Sequence, residues 1–170
     1  MKDNTITQFT NEDFASVSGL TFVHIAAKNN NQMYLGTSSG LYSFDTQSHP
    51  FTTSTGLMSE SDFSDVPIFD TLENDKYLWI SSLSGLHRVD KYFQKRNTLV
   101  VDKQSPIPVD TNFTDLFESK DGYLWVGSDQ GLIKINQDTL EIVAYYGQDR
   151  GLSNNVIQGI LESENFIWVT

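Results

Sequence analysis

Three histidines are the side chains of this sequence best suited to acid–base or metal chemistry, because imidazole titrates near neutral pH and binds metal ions. They are His24, His49 and His87, and none shows the Glu-x-x-His or His-x-His spacing of a metal or base pair. The chain has no cysteine, which excludes a thiolate metal site and a cysteine nucleophile. We therefore predict no catalytic residue, no metal site and no cofactor.

Carboxylates are plentiful, but most of them fall in segments that are predicted to be hairpin turns. Asp121 precedes Gly122, a pair typical of hairpins, and a paired-acid glycosidase would need two carboxyls at a defined separation that a sequence does not show. The formal net charge is −11, which opposes phosphate backbones. We therefore expect no nucleic-acid partner and no direct membrane contact in this segment.

A motif that recurs along the chain indicates the strands and turns that position the histidines and carboxylates. The stretch YLWVGSDQGL at residues 123–132 has an earlier copy YLWISSLSGL, a weaker copy MYLGTSSGL and a final partial copy FIWVT. The anchor aromatics are 45, 46 and 43 residues apart, and in the first three copies a glycine follows six residues later. The repeated positions are Tyr34, Trp79, Trp125 and Trp168 for the aromatics and Gly40, Gly85 and Gly131 for the glycines. A period of this length indicates a repeat architecture.

Each repeat is expected to contain four strands, here called A to D. Strand B carries the anchor and is apolar at consecutive positions, as in residues 124–126, so both of its faces must be covered. Strand C alternates apolar and polar residues, which is typical of a strand nearer to solvent. Four-stranded antiparallel sheets that cover one another are propeller blades. We predict an all-β fold, a partial β-propeller of about three and a half to four blades.

The whole chain, 1–170, is then a single propeller fragment. Its repeats are expected at approximately 11–54, 55–102, 103–146 and 147–170, with the last one truncated and residues 5–10 as a closing outer strand.

Anchor aromatics are expected to pack between blades, because a tryptophan buries on the order of 200 Å². Ligand contacts should come instead from loops on one rim, where the B-to-C turns and the D-to-A connections meet. An additional candidate is the histidine of the first strand A, which would line the central channel. The candidate ligand-binding residues are Ser38, Ser39, Ser59, Glu60, Asp62, Ser84, Asp129, Gln130, Asn154, Asn155 and His24.

The anchor segments resemble the two-component regulator propeller repeat, whose pattern is Leu-Trp-Ile-Gly-Thr, a short polar turn, Gly-Leu and a strand that ends in Asp. Departures are Tyr34 in place of Trp and Ser81 in place of Gly. The matching residues are Leu124, Trp125, Val126, Gly127, Ser128, Gly131 and Leu132 in one repeat, and Leu78, Trp79, Ile80, Gly85, Leu86 and Asp90 in another.

This resemblance implies a periplasmic sensor region of a bacterial histidine kinase or diguanylate cyclase signalling protein. The segment itself would then be non-catalytic and would bind a small-molecule, glycan or peptide ligand. Alternatives are a propeller enzyme of the virginiamycin lyase type, which needs a histidine and carboxylates at the channel mouth, and a structural protein-interaction propeller. A chain that stops inside its fourth repeat is expected to be a fragment of a longer protein. A homodimer that completes a larger ring, or an open arc, is the expected assembly.

Overall fold

Antiparallel β-strands form nearly all the regular structure of the computed structural model, which describes residues 22–27, 32–45, 63, 65–92, 95–164 and 166–170. Among the described residues, a short 3-10 helix lies at Gln148–Arg150. The strands are β1 Phe22–Ala27, β2 Gln32–Thr37, β3 Gly40–Asp45, β4 Ile68–Glu73, β5 Tyr77–Ser82, β6 Gly85–Asp90, β7 Lys95–Thr98, β8 Phe113–Glu118, β9 Tyr123–Ser128, β10 Leu132–Asn136, β11 Ile142–Tyr146, β12 Ile160–Ser163 and β13 Phe166–Val169.

The strands form four meandering sheets, each with its strands in chain order. Sheet I contains β1–β3, sheet II contains β4–β7, sheet III contains β8–β11 and sheet IV contains β12 and β13. The first strands of successive sheets contact each other, β1 with β4, β4 with β8, and β8 with β12. First strands that contact one another in this way line the axis of a propeller. The prediction of an all-β partial propeller is confirmed, whereas the exact repeat boundaries stay predictions.

Burial decreases from the inner strands to the outer ones. Every residue of β5 is buried, and so is every residue of β9 after its first, whereas β7 is exposed at three of its four positions. Apolar clusters lie between neighbouring sheets: Tyr34 with Ile68 between I and II, Trp79 with Leu124 between II and III, and Trp125 between III and IV. The consecutive apolar residues of strand B are therefore explained by a neighbour on each face.

The turn from strand B to strand C is built by a hydroxyl and a glycine. The Ser128 hydroxyl donates to the carbonyl oxygen of Gly131 (2.7 Å) and accepts from the backbone N–H of Gln130 (3.1 Å). Gly131 has φ +143°, a left-handed conformation that favours glycine, and a Cβ there would lie 2.3 Å from the carbonyl oxygen of Tyr146. Thr37 and Ser82 make the same carbonyl contact in sheets I and II.

The outer strand of sheet II is β7, which pairs with β6 from Asp90 with Lys95 to His87 with Thr98. Trp168 lies on β13 and is 59% exposed, and no described element covers that face of sheet IV. Its packing between blades therefore stays a prediction. The predicted closing strand at residues 5–10 lies outside the described residues.

Candidate functional site

A cleft of about 510 Å³ opens at the seam between sheets II and III. It lies at the sheet edge that carries the β4–β5 hairpin turn, the β8–β9 hairpin turn and the β10–β11 turn. This edge is opposite to the B-to-C turns. The lining residues are Glu73, Asn74, Asp75, Lys76, Tyr77, Glu118, Gly122, Gln137 and Asp138.

Asn74 organises the sheet II side of this cleft. Its side-chain oxygen accepts from the backbone N–H groups of Lys76 (3.0 Å) and Tyr77 (2.8 Å), which closes the hairpin turn. Its amide nitrogen donates across the seam to Oε1 of Glu118 (2.9 Å) and to Oε1 of Gln137 (2.8 Å). One side chain therefore both shapes the turn and ties sheet II to sheet III.

Gln137 is the centre of the seam and is only 8% exposed. Its Oε1 also accepts from the indole N–H of Trp79 (3.0 Å), and its Nε2 donates to Glu118 (2.8 Å) and to the carbonyl oxygen of Gly122 (2.9 Å). Both ends of this amide are thus used by neighbours. The anchor tryptophan is consequently a polar contact between sheets as well as an apolar one.

Charged and phenolic groups surround Asp138, which follows Gln137 in the β10–β11 turn. The Tyr77 hydroxyl donates to Asp138 (2.7 Å), and the Lys76 ammonium lies 3.3 Å from the same carboxylate. These two contacts lower the pKa of Asp138, and the Asp138 contact in turn raises the pKa of Tyr77. Arg88 donates to the carbonyl oxygens of Gln137 and Asp138, and its guanidinium lies 4.7 Å from the Tyr77 ring centroid.

Glu73 is the inner carboxylate of the lining. Its Oε1 lies 2.7 Å from the Lys91 ammonium, and its side chain is 10% exposed. The other oxygen, Oε2, is buried and makes no hydrogen bond within the described part of the chain. Burial, and then the neighbouring Glu73 carboxylate, raise the pKa of Tyr34, the anchor of sheet I. A hydrogen bond between the Tyr34 and Glu73 side chains also raises the pKa of Tyr34.

The chemistry of this lining favours binding. Four carboxylates and one ammonium give a negative surface that suits a ligand rich in hydrogen-bond donors, neutral or cationic. None of the nine lining residues is a serine, threonine, cysteine or histidine. In the residues that the structure describes, no group of three or more histidine, cysteine, aspartate or glutamate side chains is arranged to hold a metal ion.

Those rim candidates that the structure describes lie at the opposite edge of the sheets. Backbone hydrogen bonds join neighbouring sheets along that edge. The N–H of Asp65 donates to the carbonyl oxygen of Ser39 (3.0 Å), and the N–H of Ile157 donates to that of Ser128 (2.9 Å). The B-to-C turns thus meet the connections that precede strand A, as expected. The described candidates at this edge are Ser38, Ser39, Ser84, Asp129, Gln130, Asn154 and Asn155.

Several of these candidates use their side chains to build the rim itself. The Asp129 carboxylate accepts from the backbone (3.0 Å) and side-chain (2.7 Å) N–H groups of Asn112. Asn154 accepts from the backbone of Val156, and Asn155 from that of Gln148. Ser59, Glu60 and Asp62 lie outside the described residues, as does the side chain of His24. A ligand-binding role for the rim stays a prediction.

His87 is a structural residue near this rim. Its Nε2 lies 3.1 Å and 3.0 Å from the hydroxyls of Ser82 and Ser84, and its Nδ1 lies 3.0 Å from the Thr98 hydroxyl. Burial, and then the Arg96 charge, lower its pKa from the usual 6.5 to about 4. The imidazole is therefore neutral at physiological pH and links three hydroxyls of sheet II.

Sequence reasoning missed the cleft, although one signal was present. A glutamate lies at or next to the end of strand A in three repeats, and each pairs with the residue that precedes the anchor aromatic. These residues are Glu73, Glu118 and Glu162. Glu162 accepts from the backbone N–H of Lys120 (2.9 Å), as Glu118 accepts from Asn74. The repeated glutamate marks the seam edge. Gln137 and Asp138 carry no such repeat signal.

Comparisons with known proteins give one family and a set of structural relatives. A family model described as "Domain of unknown function (DUF5074)" matches residues 3–150. No curated protein matches the sequence significantly. Within the described residues, no helix has the length and apolar character that crossing a membrane requires.

The similar solved structures include extracellular domains of proteins from B. thetaiotaomicron. For the putative hybrid two component system BT4673, the TM-score is 0.67 and the identity 22%, over 88% of this chain and 20% of that one. For a structure described as the putative one component system BT4673, the TM-score is 0.65 and the identity 16%, over 90% of this chain and 20% of that one. For the putative hybrid two component system BT3049, the TM-score is 0.57 and the identity 16%, over 94% of this chain and 26% of that one. The chain thus spans about a fifth to a quarter of these chains, and at such identities the likeness concerns the fold.

Proposed function

The chain belongs to the DUF5074 family, whose description names no activity, and we propose that it is a ligand-sensing β-propeller segment of a bacterial signal-transduction receptor. The segment is non-catalytic in this proposal, and any kinase or cyclase activity belongs to a separate output domain. Two observations support a sensor: the fold is shared with extracellular domains of two-component systems, and the anchor motif resembles the two-component regulator propeller repeat. The same likeness supports a periplasmic or extracellular location.

The cleft between sheets II and III is the observation that carries the ligand-binding part of this proposal. It has the volume of a small-molecule site, and its walls come from two sheets that meet at a seam. A ligand there touches both walls and changes how firmly the two sheets are held together. Ligand occupancy can therefore alter the relation between neighbouring blades, which is what a sensor requires.

The charge of the walls selects the ligand class. Carboxylates of Glu73, Glu118 and Asp138 accept hydrogen bonds, and the half-buried character of the site strengthens these bonds relative to bulk water. Anionic ligands are disfavoured by these groups and by the net charge of −11. We propose a neutral or cationic ligand that carries several hydroxyl, amide or ammonium donors.

Thermal unfolding with panels of neutral polyols, amino acids and short peptides tests the proposal. A bound compound raises Tm in a concentration-dependent way. Asp138 is 63% exposed, so Asp138→Ala leaves the core intact. We expect this variant to lose most of the ligand-induced shift, while Gln130→Ala at the opposite rim keeps it.

The result that would count against the cleft is a ligand whose effect persists in Asp138→Ala and disappears in Gln130→Ala, since that would place binding at the rim. A panel with no stabilising compound would contradict ligand sensing by this segment. Measurable lyase or hydrolase turnover by the purified chain would instead favour an enzyme.

A further inference from the structure

The side-chain amides that line the cleft between sheets II and III have no free hydrogen-bond donor. Each amide nitrogen carries two hydrogens. Nδ2 of Asn74 donates one of them to Oε1 of Glu118 and the other to Oε1 of Gln137. Nε2 of Gln137 donates to the same oxygen of Glu118 and to the carbonyl oxygen of Gly122. Both amides therefore use all their donors within the seam itself.

The phenol and the ammonium of the lining are also engaged. The Tyr77 hydroxyl donates to Oδ1 of Asp138 (2.7 Å), and the Lys76 ammonium lies 3.3 Å from the same oxygen. Among the described residues Lys76 has no other partner, so it is the one lining side chain with N–H groups to offer. A ligand group that must accept hydrogen bonds thus finds a single side-chain partner in the cleft.

Hydrogen-bond acceptors, by contrast, are free on both walls. On the sheet III wall, Oε2 of Glu118 and Oδ2 of Asp138 make no hydrogen bond to a described residue, because the contacts above all end at the other oxygen of each carboxylate. On the sheet II wall, the exposed Asp75 carboxylate has no hydrogen-bond or ion-pair partner in the described part of the chain. The walls therefore ask for donors from the ligand.

The fourth carboxylate of the lining, Glu73, makes the inner end of the cleft negative as well. Its side chain is only 10% exposed, and its Oε1 lies 2.7 Å from the Lys91 ammonium. Tyr34 also engages this carboxylate. Oε2 is buried and makes no hydrogen bond within the described residues. A buried carboxylate oxygen in this state favours an incoming donor.

The walls offer little surface to an apolar or ring-shaped ligand. Ligand sites usually combine apolar and aromatic walls with a few polar groups. Here Tyr77 is the one aromatic residue of the lining, and it is 8% exposed. The Arg88 guanidinium lies 4.7 Å from its ring centroid, and the Trp79 ring meets it edge-on. None of the nine lining residues has a purely hydrocarbon side chain, so polar and ionic contacts must hold the ligand.

We infer that this cleft binds a linear organic cation with two or more ammonium groups, a diamine or a polyamine, which contacts carboxylates of both walls. Ammonium groups donate and do not accept, which matches walls with free acceptors and one free donor. Polyols and peptides also bring oxygen acceptors, which these side chains do not satisfy. In the described residues no group of three or more potential ligands is arranged for a metal ion, which favours an organic cation. The inference rests on the proposed function and narrows its ligand class.

Isothermal titration calorimetry with spermidine and with 1,4-diaminobutane is the direct test, and we expect one saturable site per chain. Two compounds with the same carbon chain are the ligand controls. 1,4-Butanediol, with hydroxyls in place of the ammonium groups, and 1-aminobutane, with a single ammonium, should each bind at least roughly tenfold more weakly than 1,4-diaminobutane. Magnesium chloride at matched ionic strength controls for the general attraction of cations to a chain of net charge −11.

Three variants locate the site. Glu118→Gln keeps an Oε1 acceptor for Asn74 and Gln137 but replaces the free oxygen by an N–H donor, and it should weaken spermidine binding at least roughly tenfold. Asp75→Asn removes an exposed charge and leaves the fold intact; it should weaken binding about two- to fivefold. Asp149→Asn is the matched control for charge, because this 74% exposed side chain lies on the 3-10 helix outside the cleft. It should bind spermidine like the parent.

Equal binding of 1,4-butanediol and 1,4-diaminobutane would overturn the inference, since charge would then have no part in recognition. If Asp138→Ala abolished that binding, ligand sensing by the cleft would stand and only the ligand class would be wrong. Tighter binding of lysyl-lysine than of spermidine would assign the cleft to peptides instead.

Binding that magnesium reproduces, or that Asp149→Asn weakens as much as Glu118→Gln does, would also overturn the inference, because it would reflect the overall charge of the chain. A chain that binds no diamine, polyol or peptide would contradict both this inference and the proposed function.

Discussion

The indole N–H of Trp79 donates a 3.0 Å hydrogen bond to Oε1 of Gln137, which lies 58 residues later in the chain and in the next sheet. Trp79 is fully buried, and Gln137 is 8% exposed. The same oxygen accepts from Asn74 (2.8 Å), so one amide satisfies two donors of sheet II. This contact makes the seam between two blades a specific polar junction.

Gln137→Leu should lower the free energy of unfolding by about 2–4 kcal/mol. The substitution has a similar volume, but it leaves the buried Trp79 indole N–H without its acceptor and removes one of the two acceptors of the Asn74 amide. Urea denaturation followed by tryptophan fluorescence measures this change. Gln130→Leu, at the opposite rim, is the control and should stay within about 0.5 kcal/mol of the parent. Equal effects of the two substitutions would contradict the special role of the seam.

His87 should make the stability of the protein depend on pH below neutrality. Its folded pKa of about 4 lies below the unfolded value of 6.5, so folding favours the neutral ring. The unfolded chain therefore binds more protons between these two pH values, and stability falls as the pH is lowered through this window. The full loss is about 3 kcal/mol.

Carboxyl groups also titrate in part of this pH window, so the test compares the pH dependence of the parent with that of a variant that lacks His87. The free energy of unfolding is measured between pH 7 and pH 4 for the parent and for His87→Gln. We expect a shallower fall in the variant, and parallel curves would refute the role of His87.

Ser128→Ala should lower the free energy of unfolding by about 1–2 kcal/mol. The Ser128 hydroxyl accepts from the backbone N–H groups of Gln130 (3.1 Å) and Gly131 (3.0 Å) inside a buried turn. Ser128→Thr is the matched control, since Thr37 fills the equivalent position in sheet I with the same contact to its glycine. Thermal unfolding should place the threonine variant near the parent. A threonine variant as unstable as the alanine variant would show that side-chain volume at this position, rather than the hydroxyl hydrogen bond, determines stability.

Gly127→Ala should destabilise the contact between sheets III and IV by about 1–3 kcal/mol through overpacking. An added Cβ would lie 2.9 Å from Cγ2 of Ile157 and 3.1 Å from the Thr114 hydroxyl. Ser81 is the equivalent residue of sheet II and already has a Cβ; its hydroxyl makes a 3.4 Å contact to Asp70. Ser81→Ala should therefore lower the free energy of unfolding, measured by denaturant titration, less than Gly127→Ala does. The reverse order would mean that the close approach of Ile157 is not limiting.

The architecture could be predicted from the sequence because its determinants are local. The spacing of Trp79 and Trp125, the glycines six residues later and the consecutive apolar residues of strand B all act within one repeat of about 45 residues. Turn chemistry is local too, as in Ser128 with Gly131. The resemblance to a sensor repeat rests on the same short motif. For this reason the sheets, their order and the rim of B-to-C turns follow from the chain itself.

The cleft and the state of each anchor were decided only by the tertiary structure. Gln137 reaches Trp79 because sheet III packs against sheet II so that the β10–β11 turn contacts the β4–β5 hairpin, and no spacing within a repeat encodes that contact. Trp125 and Trp168 carry the same motif as Trp79. The indole N–H of Trp125 is buried with no acceptor among the residues that the structure describes, and Trp168 is 59% exposed. A repeat sequence determines the blade, whereas burial and hydrogen bonding depend on which blade stands next to it.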